Sequence, residues 1–152
     1  MITDEFNEFI QNINNQDKIA CLDIGTKKIG VATSDKSKII ANPHSIIKVH
    51  NLDEAIKSLN ILFDELSLLN IVVGWPVMVN GDITPLCQDI IKILESLLKL
   101  NPKYNFYLFN ECFSTRIIDK DLKSLGLKRK KRNSIDDKIV ACYLLQEVLN
   151  KI

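Results

Sequence analysis

The spacing of apolar positions along the 152-residue chain changes period several times, and each change predicts a different element. Phe6, Phe9, Ile10 and Ile13 recur at helical spacing, which predicts a short amphipathic helix over 4–14, ended by Asn14-Asn15-Gln16. Two β-type runs follow, Ile19–Ile24 and Ile29–Ser34. The Gly25-Thr26-Lys27-Lys28 connection between them is short enough to imply an antiparallel hairpin. A third run over 38–47 extends the hairpin into a meander.

The period then becomes helical. Asn51 followed by Glu54 resembles a capping box, opening a helix to about Leu69. Asn70–Trp75 is apolar without alternation, as expected of a strand buried on both faces. Thr84-Pro85 supplies a cap and a first-turn proline for a helix to about Leu100. Tyr104–Phe109 reads as another buried strand. Ser114 or Thr115 starts a further helix closed near Gly126, and a last helix begins at Ser134. Three meandering strands followed by alternating helices and strands define an α/β fold with a mixed sheet. Residues 1–17 form a helical extension and 18–152 a single domain, with no internal repeat or low-complexity linker.

Hydrophobic residues make up 46% of the chain, enough for one core. No window approaches the roughly 18 apolar residues of a membrane span, and Asp4, Glu5 and Glu8 do not suit a signal peptide. A cytoplasmic protein without membrane partners is expected. Four cysteines, Cys21, Cys87, Cys112 and Cys142, have no CxxC spacing, so reduced thiols are expected rather than disulfides or zinc. With only His44 and His50 available, any metal must be held by oxygen.

Net charge is +1 but unevenly spread, since residues 1–17 carry four acids and no base, whereas 116–138 carry nine bases and four acids. Such local clustering bears on polyanion binding more than the total does.

Three carboxylates stand at positions suited to chemistry. Asp23 interrupts a buried strand, where an ionised carboxylate needs compensation. It either caps the Gly25-Thr26 turn or faces a cavity in which Gly25 leaves room. Glu111 follows the Tyr104–Asn110 strand directly, at the carboxyl end where ligands of open α/β sheets gather. A solvated or capping glutamate is the competing reading. Asp137 follows Ser134 at capping-box spacing, yet lies on the line of Val140, Ala141, Leu144, Leu145 and Val148, the face that should pack on the sheet. Converging carboxylates repel unless neutralised. A hard divalent cation such as Mg²⁺ or Mn²⁺ resolves that conflict, and paired ions of this kind support phosphoryl displacement.

The segments "LDIGTKKIGVATSD", "VVGWPVMVNGD", "NECFST" and "IDDKIVACYLLQ", in this order and spacing, resemble the YqgF/RuvX group of RNase H-like proteins from about Ile19 to Leu149. That group is described as pre-16S ribosomal RNA nucleases or Holliday junction resolvases. The resemblance implies an RNase H-like fold in which Asp23, Glu111 and Asp137 match the family's catalytic and metal-binding acids. It also implies Mg²⁺ or Mn²⁺ and cleavage of a phosphodiester by a metal-activated water. The chain departs from the pattern in three places. Asn110-Glu111-Cys112 replaces Asp-Glu-Arg, Lys28 replaces an arginine and its bidentate fork, and Trp75 stands where an aliphatic residue or Phe is commoner.

Lys128, Arg129, Lys130, Lys131 and Arg132 precede the Asp137 helix and are candidates to hold a nucleic-acid backbone, against the alternative of a solvated loop. Thr26, Lys27, Lys28, Ser114, Thr115 and Arg116 are further candidates for phosphate contact. The leading expectation is a metal-dependent nuclease acting on structured nucleic acid, foremost pre-16S ribosomal RNA, as a monomer or homodimer. A resolvase of DNA junctions and a non-catalytic ribosome-assembly factor are the alternatives. An ATP-using kinase-like protein, suggested by Asp-x-Gly-Thr, lacks the length for a second lobe.

Overall fold

A computed structural model describes residues 1–78, 80–110 and 137–152, the last segment with side chains from residue 139 onward. The described elements are β1 (Ile2–Thr3), α1 (Phe6–Gln11), β2 (Ile19–Ile24), β3 (Lys28–Ser34), β4 (Ala41–Lys48), α2 (Leu52–Glu65), β5 (Asn70–Trp75), α3 (Pro85–Leu100), β6 (Asn105–Asn110) and α4 (Asp137–Leu149). They build a six-stranded sheet in the order β1-β6-β5-β2-β3-β4. Strands β1, β6, β5 and β2 run parallel, whereas β2, β3 and β4 form an antiparallel meander. The mixed α/β sheet expected from the periodicities is therefore present. The helix expected over 114–126, the start of the last helix at Ser134 and the basic tract lie outside the described residues.

Local chemistry sets most boundaries. The Asn51 side chain accepts the Glu54 N–H and Thr84 accepts that of Cys87, with Pro85 in the first turn of α3, so both helices open where capping predicts. Helix α2 stops at Glu65, short of Leu69, because Ser67 turns into left-handed backbone (φ 52°) and the Leu68 N–H returns to the Phe63 carbonyl at 2.8 Å. Leu68 keeps its place in the core; its apolar character reflects burial beyond the helix end. Strand β1 was not expected, because two residues carry no measurable period. It adds to the sheet edge alongside β6.

Both faces of the sheet are covered. On one, Ala20, Leu22, Val31, Ile71, Val73 and Phe106 pack beneath α2 and α3 through Leu59, Phe63, Ile90 and Leu94. On the other, Ile19, Cys21, Ala32, Val72 and Tyr107 pack beneath α1 and α4 through Phe9, Ala141, Leu144, Leu145 and Val148. Burial from two sides explains why β5 shows no alternation. No described helix is long and apolar enough to cross a membrane.

A buried polar chain closes the amino ends of the parallel strands. Asn70 donates to Asp17 (3.1 Å), and Asn105 donates both to Asn70 Oδ1 (3.0 Å) and to the Phe9 carbonyl (3.0 Å). Lys38 Nζ donates to the carbonyls of Asn15 (2.8 Å) and Asp17 (3.2 Å), tying the same segment to the β3–β4 turn. Asn105→Ala would strand the buried Asn70 Oδ1 acceptor, a loss of roughly 1–3 kcal/mol. Urea unfolding should show that loss as a lower midpoint at unchanged m-value; an unaltered midpoint would contradict it.

Candidate active site

Asp23 sits one residue before the end of β2, half-buried, at the carboxyl edge of the parallel strands. Ile19 and Cys21 face the α1/α4 layer, and the alternation of a strand puts Asp23 on that same face. Its partner on β3 is Gly30. Cys21 and Leu22 pair with Val72 and Val73 of β5, so the same register brings Gly74 level with Asp23 on the other side. The carboxylate thus lies between two positions without side chains. One row below, Ala32, Cys21, Val72 and Tyr107 are sealed under helices. Asp23 stands one row further toward the carboxyl edge, half-buried, with Gly30 and Gly74 buried beside it.

The row continues onto β6, where Phe109 pairs with Gly74 and Asn110 with Trp75. A cleft of about 630 Å³ lies beside the carboxyl end of β6, lined by Trp75, Val77, Phe109, Asn110, Tyr143, Glu147 and Lys151 among others, with Asp23 outside its lining. Lys151 Nζ stands 4.9 Å from the centre of the Phe109 ring, a cation–π contact that holds a positive charge at the rim. Tyr107 also borders the cleft; burial, reinforced by Asp4 and Glu5, pushes its phenol above the usual value. At neutral pH it stays protonated and cannot act as a base.

The sequence candidates fall in three groups. Asp23, Thr26, Lys27 and Lys28 are described, the last three exposed around the β2–β3 hairpin. That hairpin is pinned, because the Gly25 N–H donates to the Lys28 carbonyl at 2.9 Å and the Val49 N–H to the Lys27 carbonyl at 2.8 Å. A Cβ on Gly25 would meet the Lys28 carbonyl oxygen at 3.0 Å, so glycine permits the close approach. Asp137 is described in backbone only, as the first residue of α4. The expected inward face of this helix is buried at Ala141, Leu144, Leu145 and Val148, with Ile139 exposed. Glu111, which follows the last residue of β6 in the chain, and Ser114, Thr115, Arg116, Lys128, Arg129, Lys130, Lys131 and Arg132 lie outside the described residues. Gly30 and Gly74 escaped the sequence reading. Their signal was a glycine inside each strand run, which marks close approach of a ligand or backbone; only the register shows that both flank one carboxylate.

The mixed six-stranded sheet with helices on both faces is an RNase H-like fold, with Asp23 at the carboxyl edge of its central strands. Among solved structures, T. thermophilus RuvC in complex with Holliday junction substrate superposes with a TM-score of 0.58 over 89% of this chain and 95% of that one, at 10% sequence identity. The sequence profile described as "RuvX: Holliday junction resolvase" matches residues 17–151. A protein of Wolbachia pipientis wMel is 39% identical over 145 residues, 95% of this chain and 93% of that protein. One of Ehrlichia canis (strain Jake) is 36% identical over 150 residues, 99% and 96% of the two chains. Both carry the name "Putative pre-16S rRNA nuclease". The chain belongs to the RuvX (YqgF) family, a family of nucleases, hydrolases of phosphodiester bonds.

Gly74 is buried level with Asp23, so a side chain there would crowd the carboxylate. Gly74→Val is expected to lower nucleolytic turnover by at least about tenfold, the factor that 1.4 kcal/mol of lost transition-state stabilisation produces. Near-wild-type turnover in a folded variant would show that the room beside Asp23 is not needed for cleavage.

Proposed function

We propose that this chain is a divalent-metal-dependent nuclease that trims the pre-16S ribosomal RNA in the cytoplasm, with Asp23, Glu111 and Asp137 as catalytic and metal-binding residues. The observation that carries the reading is the place of Asp23, half-buried at the carboxyl edge of the sheet between two glycines. The RNA assignment draws on the names of the relatives, which span nearly the same length.

The donor set suits Mg²⁺ or Mn²⁺. Asp23 offers hard oxygen atoms, its neighbours on both strands contribute no bulk, and carboxylates brought to one edge need a cation to remain ionised together. When bound, such an ion supplies Lewis acidity toward the phosphodiester and an activated water. The chain itself positions the substrate. Thr26, Lys27 and Lys28, fixed on the pinned hairpin, hold phosphates beside Asp23; Ser114, Thr115, Arg116 and the tract Lys128–Arg132 are the further phosphate-contacting candidates. Lys151 and Trp75 border the cleft in which the strand leaving the cut can lie. Asn110 and Cys112, in place of an acid and a base in the family pattern, shift phosphate binding onto these other groups.

A DNA junction is the competing substrate, because the family profile carries the resolvase description. Resolution requires two cuts and hence paired sites; trimming an RNA end requires one.

Asp23→Asn should abolish cleavage of a labelled pre-16S RNA by more than about a hundredfold, since loss of outer-sphere partners alone costs 10–100-fold at metal sites. RNA binding should survive. Chelator should reproduce the loss and Mg²⁺ or Mn²⁺ reverse it. Cleavage confined to a four-way DNA junction would transfer the assignment to resolution, and binding without cleavage of either substrate would make the protein an assembly factor. Replacing Lys128–Arg132 by neutral residues should flatten the dependence of log K on log salt by roughly 0.7–0.9 for each phosphate no longer neutralised. An unchanged slope would exclude the tract from binding.

A further inference from the structure

Strand β1 pairs with β6 at Phe106 and Tyr107, so β6 runs on past the end of its outer neighbour to Asn110. The cleft of about 630 Å³ lies beside this longer strand end, walled on one side by Tyr143, Glu147 and Lys151 of the α4 segment. Those three residues recur every four positions and share one side of the helical turns.

Glu147 and Lys151 stand at i and i+4 with the acid first, the spacing and order that favour an ion pair. No such pair forms. The Lys151 ammonium lies instead 4.9 Å from the centre of the Phe109 ring, and the half-buried Glu147 side chain has no hydrogen-bond or charge partner among the described residues. The wall therefore presents an acceptor and a donor that do not neutralise each other. Phe109 and Trp75 add ring surfaces to the same lining.

A flat ring with donors and acceptors along one edge suits this lining. Nucleobases have that form, and single-stranded bases are recognised by stacking on aromatic side chains with hydrogen bonds to the Watson–Crick edge. Guanine carries two adjacent N–H donors beside a carbonyl oxygen on that edge, a match to a carboxylate next to an ammonium. Position ties the cleft to the catalytic edge. Phe109 pairs with Gly74, which is level with Asp23, and it packs on the α1/α4 face that Asp23 shares. Two strand spacings separate them, roughly 10 Å, so a strand passing Asp23 can set a neighbouring base in the cleft.

We infer that this cleft is a recognition pocket for one unstacked guanine of the substrate strand. Phe109 and Trp75 stack on the base, Glu147 accepts from its ring N–H and amino group, and Lys151 donates to its carbonyl oxygen. The inference rests on the nuclease reading and adds a base preference beside the cut. These four are binding residues; the chemistry stays with the carboxylates.

Trp75 is the single tryptophan of the chain, so its fluorescence reports stacking in the cleft. The test is titration of that fluorescence with short oligouridylates carrying one central guanosine or adenosine, by wild type, Glu147→Gln and Phe109→Leu, with cleavage of labelled pre-16S RNA measured alongside. The guanosine oligomer should quench Trp75 and bind wild type at least about fivefold more tightly than the adenosine one, the lower end of what a bidentate base contact supplies. Glu147→Gln, which replaces one acceptor by a donor, should erase that preference. Phe109→Leu should weaken the guanosine oligomer by about fivefold or more. The wild-type comparison stands independently of either variant's stability. Equal affinity for the two oligomers, absence of quenching, or a preference that survives in Glu147→Gln would overturn the pocket, and continued RNA cleavage by wild type would then leave the nuclease intact. Wild type that neither binds the oligomers nor cleaves RNA would overturn both readings together.

Discussion

The parallel pairing of β2 with β5 is the constraint on which the rest depends. Four residues of each strand lie in register, Ile19 with Asn70 through Leu22 with Val73. A parallel pair needs a crossover between its strands, and the crossover here carries β3, β4 and α2. Because both strands are central, their side chains must be buried on two faces, which demands helical layers above and below. The same direction of travel brings the carboxyl ends of β2, β5 and β6 to one edge. The charge that β2 carries against its own hydrophobic character, Asp23, stands half-buried at that edge. Packing and chemistry thus follow from one choice of strand direction.

Much of this was legible in the sequence because the signals are local. The caps at Asn51 and Thr84, the continuous apolar run of β5 and the short Gly25–Lys28 connection each act within a few residues. The buried line of α4 followed from helical period alone. Information that depends on register was not legible. No spacing along the chain reveals that Gly30 and Gly74 stand on either side of Asp23, because those neighbours are set by pairing between distant segments. Strand β1 was invisible for a related reason, since a two-residue edge strand is stabilised by its partner and not by its own composition.

The candidate site divides the same way. Asp23, Glu111 and Asp137 came from motif and position, each with a structural alternative that a capping role could satisfy. For Asp23 the proposal of a ligand-facing carboxylate rests on its place at the sheet edge beside two glycines. Backbone hydrogen bonds fix the hairpin that carries Lys27 and Lys28, which lowers the entropy cost of the phosphate contacts proposed for them.

The Asp17–Asn70–Asn105–Phe9 polar chain lies at the amino ends of the strands, a strand's length from Asp23. Between that end and the Asp23 edge lies well-packed sheet. Sequence change there can therefore set how long the protein survives in the cell without retuning what it cuts. Durability and specificity occupy opposite rims of one sheet, and each is free to drift under its own selection.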